Sequence, residues 1–187
     1  MTRLVLVRHG ETDWNRQGRW QGQSDTPLND TGRAQAAAMA ESQRGLPLAA
    51  IYSSDLRRAT ETAAALAAVS GAPIHRDPRL REISLGAWEG MLFDDIRRRD
   101  GDQLDRLRRE PARGRAPGGE SPAEVLNRVR AVLADIARDH PADRVAVVSH
   151  GLALAALKVH LLGLPLDVVW DHEPANATPE EYDLEAR

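Results

Sequence analysis

Short apolar runs alternate along the chain with longer segments in which apolar residues recur at helical spacing. The runs at residues 4–7, 49–52 and 145–148 have the length and the aliphatic, partly β-branched content of buried strands, and residues 73–75 form a weaker candidate. Strands that alternate with helices indicate a mostly parallel sheet covered by helices on both faces. The pattern therefore predicts an α/β fold, a three-layer sandwich.

Start and stop signals bound the helices between these runs. Ser121 and Glu124 have the spacing of a capping box with Pro122 at the first helical position, and residues 140–141 (His-Pro) end that helix. The predicted helices cover residues 29–43, 56–68, 121–139 and 152–162. Residues 165–187 are polar and show no readable period.

Two of the predicted strands end in the same way, with a polar residue followed by His and Gly. These ends are residues 8–10 and 149–151. Neighbouring strands lie about 4.8 Å apart, so parallel strands would bring both imidazoles to one edge of the sheet. Open α/β sheets bind ligands at that edge. His9 and His150 are therefore expected to share one small ligand.

Composition narrows the class of protein. The chain has 187 residues, 42% hydrophobic and 28% charged, as expected for a single globular domain over residues 1–187. No apolar run has the length of a membrane span or a signal-peptide core, so we expect no membrane partner. Cysteine is absent, which excludes disulfides and thiolate sites and makes the cytoplasm the default compartment.

Residues 77–120 form an irregular insertion. Within it, residues 93–115 carry eight arginines and six acids. The favoured interpretation of this segment is a solvated surface helix or helix pair. The functional alternative is a lid over an anion site. The interleaved acids and the scarcity of aromatic residues argue against a nucleic-acid partner.

The candidate chemistry is that of an anion pocket. Arg57 and Arg58 open a predicted helix, whose N-terminus attracts phosphate, although periodicity does not separate that role from two solvated arginines. No glycine-rich nucleotide-binding loop is present. Arg8 beside His9 would repel a divalent cation, so we expect neither a metal nor another cofactor.

Five motifs occur in one order along the chain. They are Arg8-His9-Gly10-Glu11-Thr12 followed by Trp14-Asn15, Gly22-x-x-Asp25-x-x-Leu28-x-x-x-Gly32, Ser53-Ser54-Asp55-Leu56-x-Arg58-Ala59-x-x-Thr62-Ala63, Leu80-Arg81-Glu82 and Ser149-His150-Gly151. From residue 4 to about residue 162, this set resembles the histidine phosphatase superfamily, which includes the cofactor-dependent phosphoglycerate mutases. The resemblance implies a phosphoglycerate mutase-like fold.

The resemblance also implies a role for each matching residue. It makes His9 the nucleophile that takes up the phosphoryl group and Glu82 the proton donor, and it selects Arg58 over Arg57. The residues it places around the phosphate are Arg8, Arg58, His150 and Asn15, and those it places on the substrate side are Gln21 and Gly22. An ion pair between Glu82 and Arg79 or Arg81 is the structural alternative.

These roles agree with elementary chemistry. An imidazole with an unperturbed pKa near ~6.5 attacks as the neutral form, and its second nitrogen should donate to a backbone carbonyl. Arg8, Arg58 and a protonated His150 would hold the transferring group, and a carboxylic acid would protonate the leaving alkoxide.

The expected function is hydrolysis of a small phosphorylated metabolite by a phosphomonoesterase of the histidine acid phosphatase type. Residues 80–90 resemble the phosphatase branch, where Trp88-Glu89-Gly90 follows the acid. The alternatives are a cofactor-dependent phosphoglycerate mutase and a non-catalytic module that binds a phosphorylated ligand. The chain is expected to act alone or as a homodimer.

Overall fold

The computed structural model describes residues 1–184 as a sheet of five strands with helices on both faces. The sheet order is β3-β2-β4-β1-β5, in which β1 to β4 run parallel and β5 runs antiparallel to β1. The strands are β1 (Thr2–Arg8), β2 (Ala50–Ser53), β3 (Ile74–Arg76), β4 (Arg144–Ser149) and β5 (Pro179–Leu184). The predicted α/β class and mostly parallel sheet are confirmed.

The helices divide between the two faces of the sheet. They are α1 (Asp13–Arg16), α2 (Asp30–Ser42), α3 (Arg57–Ser70), α4 (Phe93–Arg109), α5 (Pro122–Asp139) and α6 (Gly151–Leu161). Successive side chains of a strand point to opposite faces. Val5 and Val7 therefore pack with α2 and α3, whereas Leu4 and Leu6 pack with α5 and α6. Within residues 1–184, no helix has both the length and the apolar character that crossing a membrane requires.

The C-terminal segment contains order that its sequence pattern does not predict. A 3₁₀ helix (Leu166–His172) leads to β5, which pairs with β1 along its whole length. As an edge strand, β5 is mostly half-exposed and carries acids, one of which pairs with Lys158 of α6. Apolar alternation is therefore weak in this strand. Residues 185–187 lie outside the described residues.

The irregular insertion folds mainly as α4, with a kink at Asp100. Ile96, Leu104 and Leu107 are fully buried against the core, while the arginines of the helix are exposed. The prediction of a surface helix is therefore confirmed for residues 93–109. The helix also borders the cavity described below, because Phe93 and Arg108 form part of that cavity's wall.

Gly10 packs against the first turn of α2. A Cβ at this position would collide with the carbonyl of Gly32. The glycine therefore allows a close approach between two backbone segments immediately after His9. The backbone N–H of Gly10 donates to Thr62 Oγ1 at 3.1 Å, which fixes the turn to α3 as well.

Gly10→Ala should lower the free energy of unfolding by about 1–3 kcal/mol, because overpacking displaces rigid backbone. Gly101→Ala is the matched control, since a Cβ there would meet nothing nearer than Arg97 Cδ at 3.8 Å. That change should not lower stability, because the position is uncrowded and alanine favours the helical turn that follows the kink at Asp100. Urea unfolding measures both effects, and an equal effect of the two changes would contradict the packing argument.

Candidate active site

The register between β1 and β4 brings the two histidines together. Arg8 lies opposite Ser149, so the residues that follow leave the sheet side by side. The backbone N–H of His9 donates to the carbonyl of Ser149 at 3.0 Å. The two imidazole rings, of His9 and His150, have centroids 5.1 Å apart and are both buried. The predicted pairing at one edge of the sheet is present in the structure.

The hydrogen bonds of His9 fix its tautomer. Its Nδ1 lies 2.7 Å from the carbonyl oxygen of Gly10, which can only accept, so Nδ1 carries the proton. Nε2 therefore has a lone pair, and it accepts from Arg58 Nε at 3.3 Å. Burial, followed by the charges of Arg58 and Arg8, lowers the pKa of His9 well below its usual 6.5. His9 is thus a neutral imidazole with a defined nucleophilic atom.

Arg58 lies between the two imidazoles and is completely buried. Its Nε donates to His9 and to His150 Nδ1, the latter at 3.2 Å. Its Nη1 and Nη2 donate to the carbonyls of Ser24 and Gly22 at 2.7 and 2.8 Å. Burial lowers the pKa of Arg58 to about 10, so the guanidinium remains charged at neutral pH.

His150 differs from the expectation of a protonated residue. Burial and the charge of Arg58 lower the pKa of His150 well below 6.5, which makes it neutral in the unliganded site. Its Nδ1 accepts from Arg58, so Nε2 carries the proton and donates to Ser54 Oγ at 2.8 Å. An arriving phosphate dianion would favour the protonated form, which the unliganded pocket disfavours.

Arg8 and Asn15 both line the same cavity. Arg8 Nη1 donates to the carbonyl of Pro174 at 2.9 Å, while its buried Nε has no partner among the described residues. Asn15 Oδ1 accepts from the backbone N–H of Thr12 at 3.1 Å as part of a capping box. The amide nitrogen of Asn15 is thereby left as a donor.

Glu82 binds the N-terminus of α6. Its carboxylate accepts from the backbone N–H groups of Leu152 and Ala153, both at 3.1 Å, and from that of Ile83 at 2.9 Å. These hydrogen bonds fix the carboxylate at the start of α6, where the helix dipole favours a negative charge. The alternative ion pairs are not present, because Arg79 binds Asp77 and Asp135 and Arg81 binds Asp55.

The loop over residues 21–26 forms the roof above Arg58. Gly22 has φ = 51°, in the left-handed region, and a Cβ there would collide with the carboxylate of Glu89. Glu89 accepts from the backbone N–H of Gln23 and from Ser24 Oγ, both at 3.0 Å. Glu89 therefore holds the loop whose carbonyls bind Arg58. Gln21 and Gly22 lie in the cavity wall, in agreement with the substrate side on which the resemblance places them.

The site residues surround one cavity of about 390 Å³. It brings together every predicted residue except Arg58 and His150, which lie directly behind His9. The residues that line it are Arg8, His9, Asn15, Gly18, Arg19, Trp20, Gln21, Gly22, Glu82, Ile83, Leu85, Phe93, Arg108, Leu152, Trp170 and Glu173. Within residues 1–184, no group of three or more His, Cys, Asp or Glu is arranged to hold a metal ion.

Three contributing residues have roles in the site that the sequence does not predict. Ser54 orients His150, Glu89 holds the loop above Arg58, and Glu173 extends the cavity wall beside Arg8. Ser54 and Glu89 lie within stretches that resemble the family, and this position was the sequence signal that could have indicated a role for them. Glu173 lies in the polar C-terminal segment and offers no such signal.

Comparison with known proteins identifies the arrangement. The model of the histidine phosphatase superfamily (branch 1) matches residues 4–186. The chain belongs to the histidine phosphatase superfamily. Members of this superfamily are phosphatases and mutases that act through a phosphohistidine, which makes phosphoryl transfer the general chemistry of this chain.

The similar members of the superfamily include proteins named as mutases and proteins named as phosphatases. The probable phosphoglycerate mutase GpmB of Salmonella choleraesuis is 42% identical over 165 residues, covering 88% of this chain and 77% of that protein. Phosphoserine phosphatase 1 of Hydrogenobacter thermophilus is 35% identical over 187 residues, covering 100% and 89%. A mycobacterial glucosyl-3-phosphoglycerate phosphatase, solved with VO3, superposes with a TM-score of 0.88 at 38% identity, covering 96% and 90%.

The lowered pKa of His9 predicts an unusual pH profile. Because the neutral form persists below pH 6.5, kcat/KM should stay level through pH 6.5 and fall only in more acidic solution. The measurement is initial rates with an aryl phosphate, corrected for ionisation of the substrate's own phosphate. A decline centred at or above pH 6.5 would show that His9 is not held in this environment.

Proposed function

We propose that this protein is a phosphomonoesterase of the histidine acid phosphatase type, which hydrolyses a small phosphorylated metabolite through a phosphohistidine at His9. The observation that carries the proposal is the state of His9. Its proton is held on Nδ1 by the Gly10 carbonyl, and its Nε2 lone pair lies beside the buried guanidinium of Arg58. A neutral nucleophile next to a fixed cation suits attack on a phosphate dianion.

In the first half-reaction, Nε2 of His9 forms a bond to phosphorus while the ester P–O bond breaks. The electron pair leaves on the ester oxygen, which takes the proton of Glu82. Glu82 carries this proton because the phosphate dianion bound nearby favours the neutral carboxyl. That effect opposes the three N–H groups that donate to the carboxylate in the unliganded site.

In the second half-reaction, water attacks the phosphohistidine. Glu82, now a carboxylate, takes a proton from that water as the N–P bond breaks and the electron pair returns to His9. The products are the alcohol and inorganic phosphate, and Glu82 is again protonated. Arg8 and the amide of Asn15 supply donors to the phosphoryl oxygens, and Arg58 contributes its positive charge from its buried position behind His9. His150 joins them once the phosphate charge has favoured its protonation.

The distribution of arginines in α4 favours hydrolysis over a mutase reaction. A mutase must hold a bisphosphorylated intermediate, which requires additional cations around the cavity. Arg97, Arg98 and Arg99 are already paired with acids of the same helix. Arg108 is the residue of α4 that brings a cation to the cavity wall, and its guanidinium lies 5.5 Å from the ring centre of Phe93.

The deciding assay supplies 3-phosphoglycerate with a trace of 2,3-bisphosphoglycerate, in EDTA, and follows 2-phosphoglycerate and free phosphate together. Hydrolysis of this or of other small phosphomonoesters in a panel is expected, with little isomerisation and no requirement for a divalent ion. His9→Ala should abolish both turnover and the acid-labile phosphoenzyme. Rapid isomerisation with negligible phosphate release would instead make the protein a mutase.

Glu82→Gln should distinguish alkyl from aryl substrates. An alkoxide needs a proton in order to leave and a phenolate does not, so the loss for alkyl phosphates should be about 10²–10⁴-fold and much smaller for aryl phosphates. Glu120→Gln is the control, because Glu120 binds Arg128 and the Ser84 backbone outside the cavity wall. Equal losses for both substrate types would remove the role of general acid from Glu82.

A further inference from the structure

A second carboxyl group lies in the cavity wall and has no part in the chemistry described above. Glu173 follows the 3₁₀ helix Leu166–His172, and its Oε2 lies 3.7 Å from Arg8 Nη1. No described residue donates a hydrogen bond to this carboxyl. The Glu173 side chain is 34% exposed, so the vacant acceptor sites of its carboxylate are accessible to a ligand that enters the cavity.

Other residues of the cavity wall also carry polar atoms without hydrogen-bond partners. Among the described residues, three buried side-chain polar atoms lack a hydrogen-bond partner, and two of them belong to residues that line this cavity, Arg8 Nε and Trp170 Nε1. Burial and the neighbouring charge of Glu82 raise the pKa of Glu173. Glu173 therefore lies near Glu82, the proposed proton donor to the leaving oxygen. The cavity wall around it includes residues with buried polar atoms that lack hydrogen-bond partners.

We propose that Glu173 is a specificity-determining residue that accepts a hydrogen bond from a hydroxyl or ammonium group on the leaving group, close to the ester oxygen. This inference rests on the proposed function and names its substrate class: phosphomonoesters with such a donor on the carbon next to the one bearing the phosphate. Either kind of donor would bind the carboxylate of Glu173, and an ammonium would add charge attraction to the hydrogen bond.

A purely structural role for Glu173 makes a different prediction. If its carboxylate only orients Arg8, its loss would weaken phosphate binding and would slow every substrate to the same extent. If it recognises the leaving group, its loss would slow only the substrates that carry a donor. The ratio between matched substrates therefore separates the two roles.

The experiment compares propyl phosphate, 2-hydroxyethyl phosphate and 2-aminoethyl phosphate with the parent protein, Glu173→Gln and Glu173→Leu. Relative to propyl phosphate, kcat/KM for the aminoethyl ester should fall about tenfold or more in both variants, since a charged hydrogen bond is lost. The hydroxyethyl ester should be affected mainly by Glu173→Leu, because the glutamine amide keeps an acceptor oxygen. Glu41→Gln, an exposed position in α2 paired with Arg44, is the control.

Equal effects on all three esters, or no preference of the parent protein for the donor-bearing esters, would overturn the inference. Failure of the proposed function looks different, because the parent protein would then hydrolyse none of the three. In that event, calorimetry in a His9→Ala background measures the dissociation constants of the three esters and still tests whether Glu173 recognises the donor. The same loss of preference on changing Glu173 would support the inference, and its absence would contradict it.

Discussion

The site depends on one buried cation. Arg58 is removed from water in the unliganded protein, which costs several kcal/mol unless its donors are satisfied. Two backbone carbonyls and two imidazole nitrogens satisfy them. The guanidinium thereby fixes which nitrogen of each imidazole carries a proton, and its charge adds to burial in lowering the pKa of both rings. It thus keeps the nucleophile neutral and supplies charge for the transferring phosphoryl group.

The loop that holds Arg58 is in turn held by carboxylates. Glu89 binds the backbone and side chain of residues 23–24, and Asp25 accepts from the backbone N–H of Arg57 at the start of α3. Each acid therefore acts on loop geometry as well as on charge. Such a network is rigid when complete, because every lost contact leaves a partially buried polar group without a partner.

The sequence predicted the parts of the fold that depend on local pattern. Apolar runs marked β1, β2 and β4, and the repeated His-Gly ends placed two imidazoles at one edge of the sheet. The resemblance selected Arg58 over Arg57, which periodicity could not separate. β5 was missed because an edge strand with acids facing solvent lacks apolar alternation. Glu173 was missed because its place beside Arg8 depends on how β5 folds back along β1, a contact distant in sequence.

The charge balance of the cavity explains how one carboxyl can serve both as acid and as base. Without ligand, two N–H donors at the start of α6 and the N–H of Ile83 bind the carboxylate of Glu82, while burial keeps His9 and His150 neutral. A phosphate dianion favours a proton on Glu82 and on His150, whereas His9 stays neutral and keeps the Nε2 lone pair with which it attacks. Once the alcohol has left with the proton, the same N–H donors stabilise the carboxylate that must accept a proton from water. Binding of the dianion thus favours the protonated Glu82 that acts as the acid, and the N-terminus of α6 favours the carboxylate that then acts as the base.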